Sequence, residues 1–250
     1  MDHRVIGTTM PVLEIQLQNG ESVVAESGEL SWMTAAIQLQ TSTKAGAKSG
    51  GFGRLKRIVG GGGLFMTEYS AQGGDGIVAF ATKLPGQILP IEVGGGKGYM
   101  VHRHGFLCGT PGVEVSVGFQ QSLGAGVFGG DGFLLQKIEG NAQTWVELDG
   151  EVVTYDLSAS DTLRVHPGHV GLFEESVSFN ITTIKGIKNK IFGGDGLFLA
   201  ALTGPGKVWL QSLPISNLAH AIAPYLPTQN SSGGGAGGGV GGMIGGLLGS

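Results

Sequence analysis

The feature of this sequence that most constrains its fold is an internal repeat with a period of 64 residues. The pentapeptide Phe-Gly-Gly-Asp-Gly begins at Phe128 and again at Phe192. The same shift, without a gap, superposes three further pairs, namely Val101 on Val165, His102 on His166 and Trp145 on Trp209. A register kept without gaps over such a length indicates two consecutive copies of one structural unit.

A third copy precedes these two. A shift of 140 residues places Val12 on Val152 and Gly28 on Gly168, with the same hydrophobic rhythm between them. We therefore divide the chain into units at about 12–87, 88–151 and 152–214. The first unit is longer, and its extra length lies within 45–63 and in a longer hairpin around 73–76.

The hydrophobic period within each unit is two residues, which predicts strands. Leu13, Ile15 and Leu17 alternate with polar residues, the pattern of a strand with one face buried. Turn dipeptides such as Asn19-Gly20 separate the runs. The sequence thus predicts an all-β protein of three tandem units. We expect the units to close around a pseudo-threefold axis, because closure would cover their strand edges.

One helix is predicted, over about 216–223, with Ser216 as its N-cap and Pro224 at its end. Residues 228–250 form a glycine-rich tail, which we expect to be flexible because glycine loses much conformational entropy on ordering. The predicted organisation is one three-repeat β domain over 1–227, followed by this tail.

Composition excludes several classes of protein. The chain has 250 residues and a net charge of −4, so no global positive field attracts nucleic acid. One cysteine, Cys108, excludes an intramolecular disulfide framework. Residues 1–11 lack the apolar core of a signal peptide, and no run of 18 apolar residues occurs. We therefore expect a cytoplasmic location.

The three units together carry motifs that resemble a known family. These are GGLFMTEYSAQGGDG, ATKLPGQILPIEV, YMVHRHGFLCGTPGVEVSV, FGGDGFLLQKIEG and VHPGHVGLFEESVSF. Over about 13–226 the chain resembles the bacterial members of a family of unknown function, whose mitochondrial relatives are named for altered inheritance of mitochondria. The resemblance implies units of the double-stranded β-helix type, grouped with the tryptophan RNA-binding attenuation protein. It implies no enzyme activity and no catalytic residues, and it links the mitochondrial relatives to inner-membrane organisation.

One set of repeat-related residues is a candidate metal site. Glu26, His102 and His166 occupy the same position in the three units. If these positions face a shared axis, two imidazoles and one carboxylate form a facial set of ligands. The alternative is that each side chain lies on a polar surface, as the alternation around His166 indicates. We predict that no metal and no other cofactor is bound.

A basic insertion is a candidate anion-binding site. Its charged residues are Lys44, Lys48, Arg54, Lys56 and Arg57, with no acidic residue among them. Such a segment can contact RNA or an anionic membrane surface, with the apolar residues of the tail as a second membrane contact. The alternative is a solvated loop.

The function predicted from the sequence is a non-enzymatic binding or scaffold protein, linked to membrane or macromolecular organisation. Its partner is expected to be a protein, which includes further copies of the chain. Two alternatives stay open. One is a binder of RNA or another anionic polymer through the basic loops, and the other is a metal- or small-molecule-dependent enzyme with a β-helix cavity.

Overall fold

The structure is a computed structural model that describes residues 1–42, 65–121, 132–183 and 198–226. In this part of the chain there are nineteen β-strands and one α-helix. The predicted all-β fold is therefore confirmed. The basic insertion, the central residues of both Phe-Gly-Gly-Asp-Gly motifs and the glycine-rich tail lie outside the described residues.

Six strands form each unit, and one additional strand, β1 (Asp2–Ile6), precedes the first. The first unit contains β2 (Val12–Leu17), β3 (Ser22–Glu26), β4 (Trp32–Met33), β5 (Ile37–Ser42), β6 (Met66–Ala71) and β7 (Gly76–Ala81). The second contains β8 (Gly86–Val93), β9 (Tyr99–His102), β10 (Phe106–Gly109), β11 (Val113–Gln121), β12 (Phe133–Gly140) and β13 (Ala142–Asp149). The third contains β14 (Val152–Leu157), β15 (Thr162–Val165), β16 (Val170–Glu174), β17 (Ser178–Thr183), β18 (Phe198–Thr203) and β19 (Gly206–Gln211).

The strands of the three units pair in the same way. Within each unit the sixth strand lies between the first and the third, and the fifth lies between the second and the fourth, all antiparallel. Trp145 and Trp209 therefore hold equivalent places, opposite Cys108 in one unit and Leu172 in the next.

Consecutive units share sheets. The second strand of one unit pairs with the third strand of the next, through β3 with β10 and through β9 with β16. Each of the two six-stranded sheets consequently takes three strands from each of two neighbouring units. The units form a row in which the interior junctions are continuous β-sheet.

Both ends of this row are half-sheets. One is the sheet β1-β2-β7-β4, and the other is β15-β18-β17. Among the described strands, β4 and β15 do not pair with each other, so strand pairing does not join the last unit to the first. The pseudo-threefold axis and the double-stranded β-helix type of the units stay predictions.

The apolar core is also divided by junction rather than by unit. One buried cluster joins Leu13 and Ile15 of the first unit to Ile88, Leu107 and Trp145 of the second. A second cluster joins Val24 and Met66 of the first unit to residues of the second and third, and a third cluster joins the second unit to the third. Because burial of apolar area is the main favourable contribution to folding, neighbouring units stabilise one another.

The helix, α1, spans Ile215–Ile222 and packs against the 3-10 turn at Pro167–His169. The prediction of Ser216 as the N-cap is wrong. Pro214 is the N-cap, and Ser216 lies in the first turn, because a proline with its fixed φ already ends the preceding extended chain at this point. No helix in the described ranges is long and apolar enough to cross a bilayer.

Candidate functional site

A cluster of charged side chains lies at the junction of the first two units. Lys83 follows β7, and its Nζ lies 2.6 Å from Glu29 Oε1 and 3.2 Å from Glu147 Oε1. Its backbone N–H also donates to Glu147 Oε2, at 3.3 Å. A residue of the first unit is thus held by a carboxylate of the second through both its charge and its backbone.

Burial and charge act in opposite directions in this cluster. Burial alone would lower the pKa of Lys83, but the charges of Glu147 and Glu29 outweigh it and raise that pKa. Burial raises the pKa of Glu147, and the charge of Lys83 only partly opposes it. The difference follows from exposure, since the Lys83 side chain is 48% exposed and that of Glu147 is 4% exposed. Water reaches the cation and not the carboxylate.

The second junction repeats the backbone contact without the charge. The backbone N–H of Asp149 donates to Gln211 Oε1 at 3.0 Å. Gln211 pairs with Val152 as Glu147 pairs with Ile88, so the two acceptors are equivalent. The Gln211 amide nitrogen then donates to the carbonyl of Gly168, at 3.2 Å. A glutamate in one junction and a glutamine in the other hold the preceding unit in the same manner.

Two histidines that are not equivalent in the repeat form hydrogen bonds with backbone carbonyl groups that are equivalent. His102 Nε2 lies 2.9 Å from the carbonyl oxygen of Glu147, and His169 Nδ1 lies 2.8 Å from that of Gln211. Burial lowers the pKa of His102, and the accepting carbonyl partly opposes this. Both imidazoles therefore hold the sixth strand of their unit. The repeat alone does not reveal this shared role, because the two histidines occupy different positions in it.

The structure places the three candidate metal ligands in separate surroundings. Glu26 Oε2 accepts a hydrogen bond from Gln136 Nε2 at 3.3 Å, and burial raises its pKa despite that bond. His102 is bound to Glu147, and the ring of His166 lies 6.0 Å from that of His169. The described part of the chain contains no group of three His, Cys, Asp or Glu side chains placed to hold a metal ion. The absence of a bound metal stays a prediction.

The other candidate residues divide into two groups. The anion-binding candidates are Lys44, Lys48, Arg54, Lys56 and Arg57, all of which lie outside the described residues. Cys108, by contrast, is fully buried in β10 opposite Ala25, and burial raises the pKa of its thiol well above the ordinary value. Such a thiol is not a nucleophile in the folded protein.

At the ends of the row, some residues are exposed although the repeat-equivalent residues of other units are buried at a junction. Trp32 in β4 lies opposite Ala79, as Cys108 and Leu172 lie opposite Trp145 and Trp209. Cys108 and Leu172 are 0% exposed, whereas Trp32 is 48% exposed. The position is buried wherever a preceding unit covers it and exposed at the free end.

The opposite end shows the same difference on its first strand. Val153 and Tyr155 of β14 are 49% and 42% exposed. Their equivalents in the first unit, Leu13 and Ile15, are 0% exposed because the second unit covers them. Together with Leu163 and Arg164 of β15, these residues line an open groove of about 490 Å³. We call the β4 surface the leading end and the β14–β15 surface the trailing end.

The fold defines a class of all-β protein in which three similarly paired units share continuous sheets. The chain belongs to the family described as mitochondrial biogenesis AIM24, whose match covers residues 3–213. It is 28% identical to an uncharacterized protein of Streptococcus pyogenes serotype M6 over 227 residues, which cover 88% of this chain and 89% of that protein. The resemblance seen in the sequence motifs is confirmed at the level of the family.

A solved structure has the same fold. The crystal structure of a protein from Streptococcus pyogenes matches 90% of this chain and 99% of its own, with a TM-score of 0.69 and 24% sequence identity. At this identity the match establishes the fold alone. The structural grouping with the tryptophan RNA-binding attenuation protein stays a prediction.

Proposed function

We propose that this protein is a non-enzymatic scaffold made of three copies of one β module, and that it binds protein partners through its leading and trailing ends. The observation that carries the proposal is the exposure of Trp32 and Tyr155, whose equivalents in other units are buried. Exposed apolar residues grouped on or beside an edge strand are typical of a protein-binding surface.

The use made of the buried ionisable groups supports the same proposal. The buried carboxylate of Glu147 bonds to Lys83 across the first junction, and the ring of His102 bonds to the strand that carries Glu147. Groups that perform acid–base chemistry must instead reach a substrate. In this protein the buried polar groups hold the row of units together.

The test is a capture experiment with matched variants. The full chain, Trp32→Glu, Tyr155→Glu and a Leu39→Glu control are immobilised and exposed to native lysate. Leu39 is 46% exposed on β5, an outer strand of a sheet that contains none of β4, β14 and β15. We expect proteins retained by the parent and the control to be lost from one or both end variants.

Two outcomes would favour the alternatives. Retention of RNA or anionic lipid that is lost with neutralisation of Lys44, Lys48, Arg54, Lys56 and Arg57, but not with the end variants, would support the anionic-polymer binder. Turnover of a small molecule by the purified chain would support the enzyme. Either result without any effect of the end variants would overturn the scaffold proposal.

A further inference from the structure

The two edge strands at the ends of the row, each paired on one side only within the described residues, are the two halves of one junction. At each interior junction, the second strand of a unit pairs with the third strand of the following unit. In the described chain, β15 is the second strand of the last unit and pairs only with β18, while β4 is the third strand of the first unit and pairs only with β7. Within the described ranges, the trailing end thus has a second strand without a third-strand partner, and the leading end has a third strand without a second-strand partner.

The register of the interior junctions is the same in both cases. Ala25 lies opposite Cys108 and Val24 opposite Gly109 in the first junction. The equivalent residues pair in the second, with Leu172 opposite Val101 and Phe173 opposite Met100. Applied to the ends, this register places Val165 opposite Trp32 and Arg164 opposite Met33.

We infer that the trailing end of one copy of this chain docks on the leading end of a second copy, with β15 pairing antiparallel to β4 in this register. The inference rests on the proposed function, because it names the partner of the same two ends. It is supported by the two interior junctions, because the proposed contact repeats their strand pairing. A second copy supplies both the strand and the apolar face that each end lacks.

The geometry makes the association head-to-tail. The two surfaces are different, so an open row of copies has one free leading end and one free trailing end, and the row closes into a ring if the rotation between copies permits it. One interior contact is missing from the new junction, because Ala81 occupies the place of Glu147 and Gln211 and has no side-chain acceptor. The junction between copies is therefore weaker than the interior ones, and assembly depends on concentration.

Variants blocked at one end test the inference in the full-length chain. Trp32→Glu places a charge on the leading end, and Tyr155→Glu places one on the trailing end. By native mass spectrometry and light scattering, we expect the parent and the Leu39→Glu control to form species of two or more copies. Each blocked variant alone should be a monomer. Their equimolar mixture should form a dimer containing one copy of each and nothing larger.

Cysteine pairs test the register. Met33→Cys in one preparation and Arg164→Cys in another should form a mixed disulfide dimer on mild oxidation, and neither alone should dimerise. Met33→Cys mixed with Thr162→Cys, two residues out of register on the same strand, is the matched control and should cross-link at least tenfold more slowly. The native cysteine, Cys108, is buried and does not compete.

Three results would overturn the inference. They are a parent that stays monomeric at all concentrations, a mixture of blocked variants that stays monomeric, and an intrachain disulfide in the Met33→Cys, Arg164→Cys double variant, which would mean that the ends meet within one chain. The proposed function would survive any of these if the end variants still lost a captured protein that Leu39→Glu retained. It would fail only if the end variants lost nothing.

Discussion

Glu147 and Gln211 occupy the same position in successive units, and each accepts a hydrogen bond from the backbone of the unit before it. The donors are the N–H groups of Lys83, at 3.3 Å, and Asp149, at 3.0 Å. Only the first of these acceptors is charged, and only there does a lysine Nζ lie beside it. The charge of Lys83 thus compensates for burial of the Glu147 carboxylate. The hydrogen bond from the backbone is the contact that both junctions share.

Removal of the Lys83 ammonium group should destabilise the protein. Lys83→Met leaves Glu29 and Glu147 close together without a cation, and we expect a loss of about 1–3 kcal/mol in the free energy of unfolding by urea. Glu147→Gln in the Lys83→Met background should recover most of the loss, because an amide keeps the bond to the backbone N–H without a charge.

An exposed ion pair provides the control. Lys207 Nζ lies 3.5 Å from Asp156 Oδ2, and the two side chains are 39% and 78% exposed. Lys207→Met should cost less than about 1 kcal/mol. Equal losses for Lys83→Met and Lys207→Met would contradict the role assigned to Lys83.

The thiol of Cys108 should be protected from alkylation in the folded protein. Its side chain is 0% exposed, and burial raises its pKa. Reaction requires opening of β10, so iodoacetamide should modify the native chain roughly 10³-fold or more slowly than the urea-unfolded chain. Mass spectrometry at timed intervals measures both rates. Comparable rates would show that the first junction opens readily.

The alternation of residues predicted much of the core. Leu13, Ile15 and Leu17 were expected to face inward, and all three are fully buried. The same pattern failed for Leu39, which alternates with glutamines like its neighbour Ile37 but is 46% exposed. Edge position alone does not account for this difference, because Val113 and Val115 on the outer strand β11 are buried. Periodicity reports which residues share a face, but not whether another element covers that face.

The candidate site shows the same limit. Sequence equivalence of Glu26, His102 and His166 was sufficient to place each at the end of a second strand or just beyond it. It did not reveal that Glu26 is bonded to Gln136 and His102 to the carbonyl of Glu147. Those contacts depend on how the units follow one another, which a repeat period does not determine.

A close backbone approach should make Gly140 difficult to replace. Its φ is +106°, and a Cβ at this position would contact the carbonyl oxygen of Gly112. Gly140→Ala should cost about 3 kcal/mol or more, from the unfavourable φ together with the steric overlap. Thermal and urea unfolding of the purified variant measure the loss.

Gly20 separates the contribution of the unfavourable φ from that of the steric overlap. Its φ is +90°, but a Cβ there would meet no atom within 4 Å. Gly20→Ala should therefore cost only about 1 kcal/mol, the contribution of φ alone. A loss for Gly140→Ala no greater than this value would show that the two loops separate easily.

The carboxyl group of Asp149 should make stability depend on pH at the second junction. Burial raises its pKa from 3.8 to about 6, with the charge of Lys83 opposing. The folded state therefore holds a proton that the unfolded state releases between these values. Its contribution to stability is full below about pH 4 and is lost as pH rises through about 6, by roughly 2–3 kcal/mol. Asp149→Asn should remove this dependence and stabilise the protein at pH 7.

His104 makes stability depend on pH in the opposite direction to Asp149. The difference in unfolding free energy between variant and parent is therefore more informative than the pH curve of either protein. The pKa of His104 is lowered from 6.5 to about 4 by partial burial and by the nearby positive charges of Lys83 and Arg103, although part of the residue is exposed to solvent. Its contribution to stability is therefore present above pH 6.5 and is lost as pH falls towards 4. In the parent the two dependences partly cancel. Subtracting the urea-unfolding curve of the parent from that of Asp149→Asn leaves the Asp149 contribution, and His104→Gln leaves the other with the reverse slope. A flat difference for Asp149→Asn between pH 4 and 7 would mean that water reaches this carboxyl group and that the junction is open there.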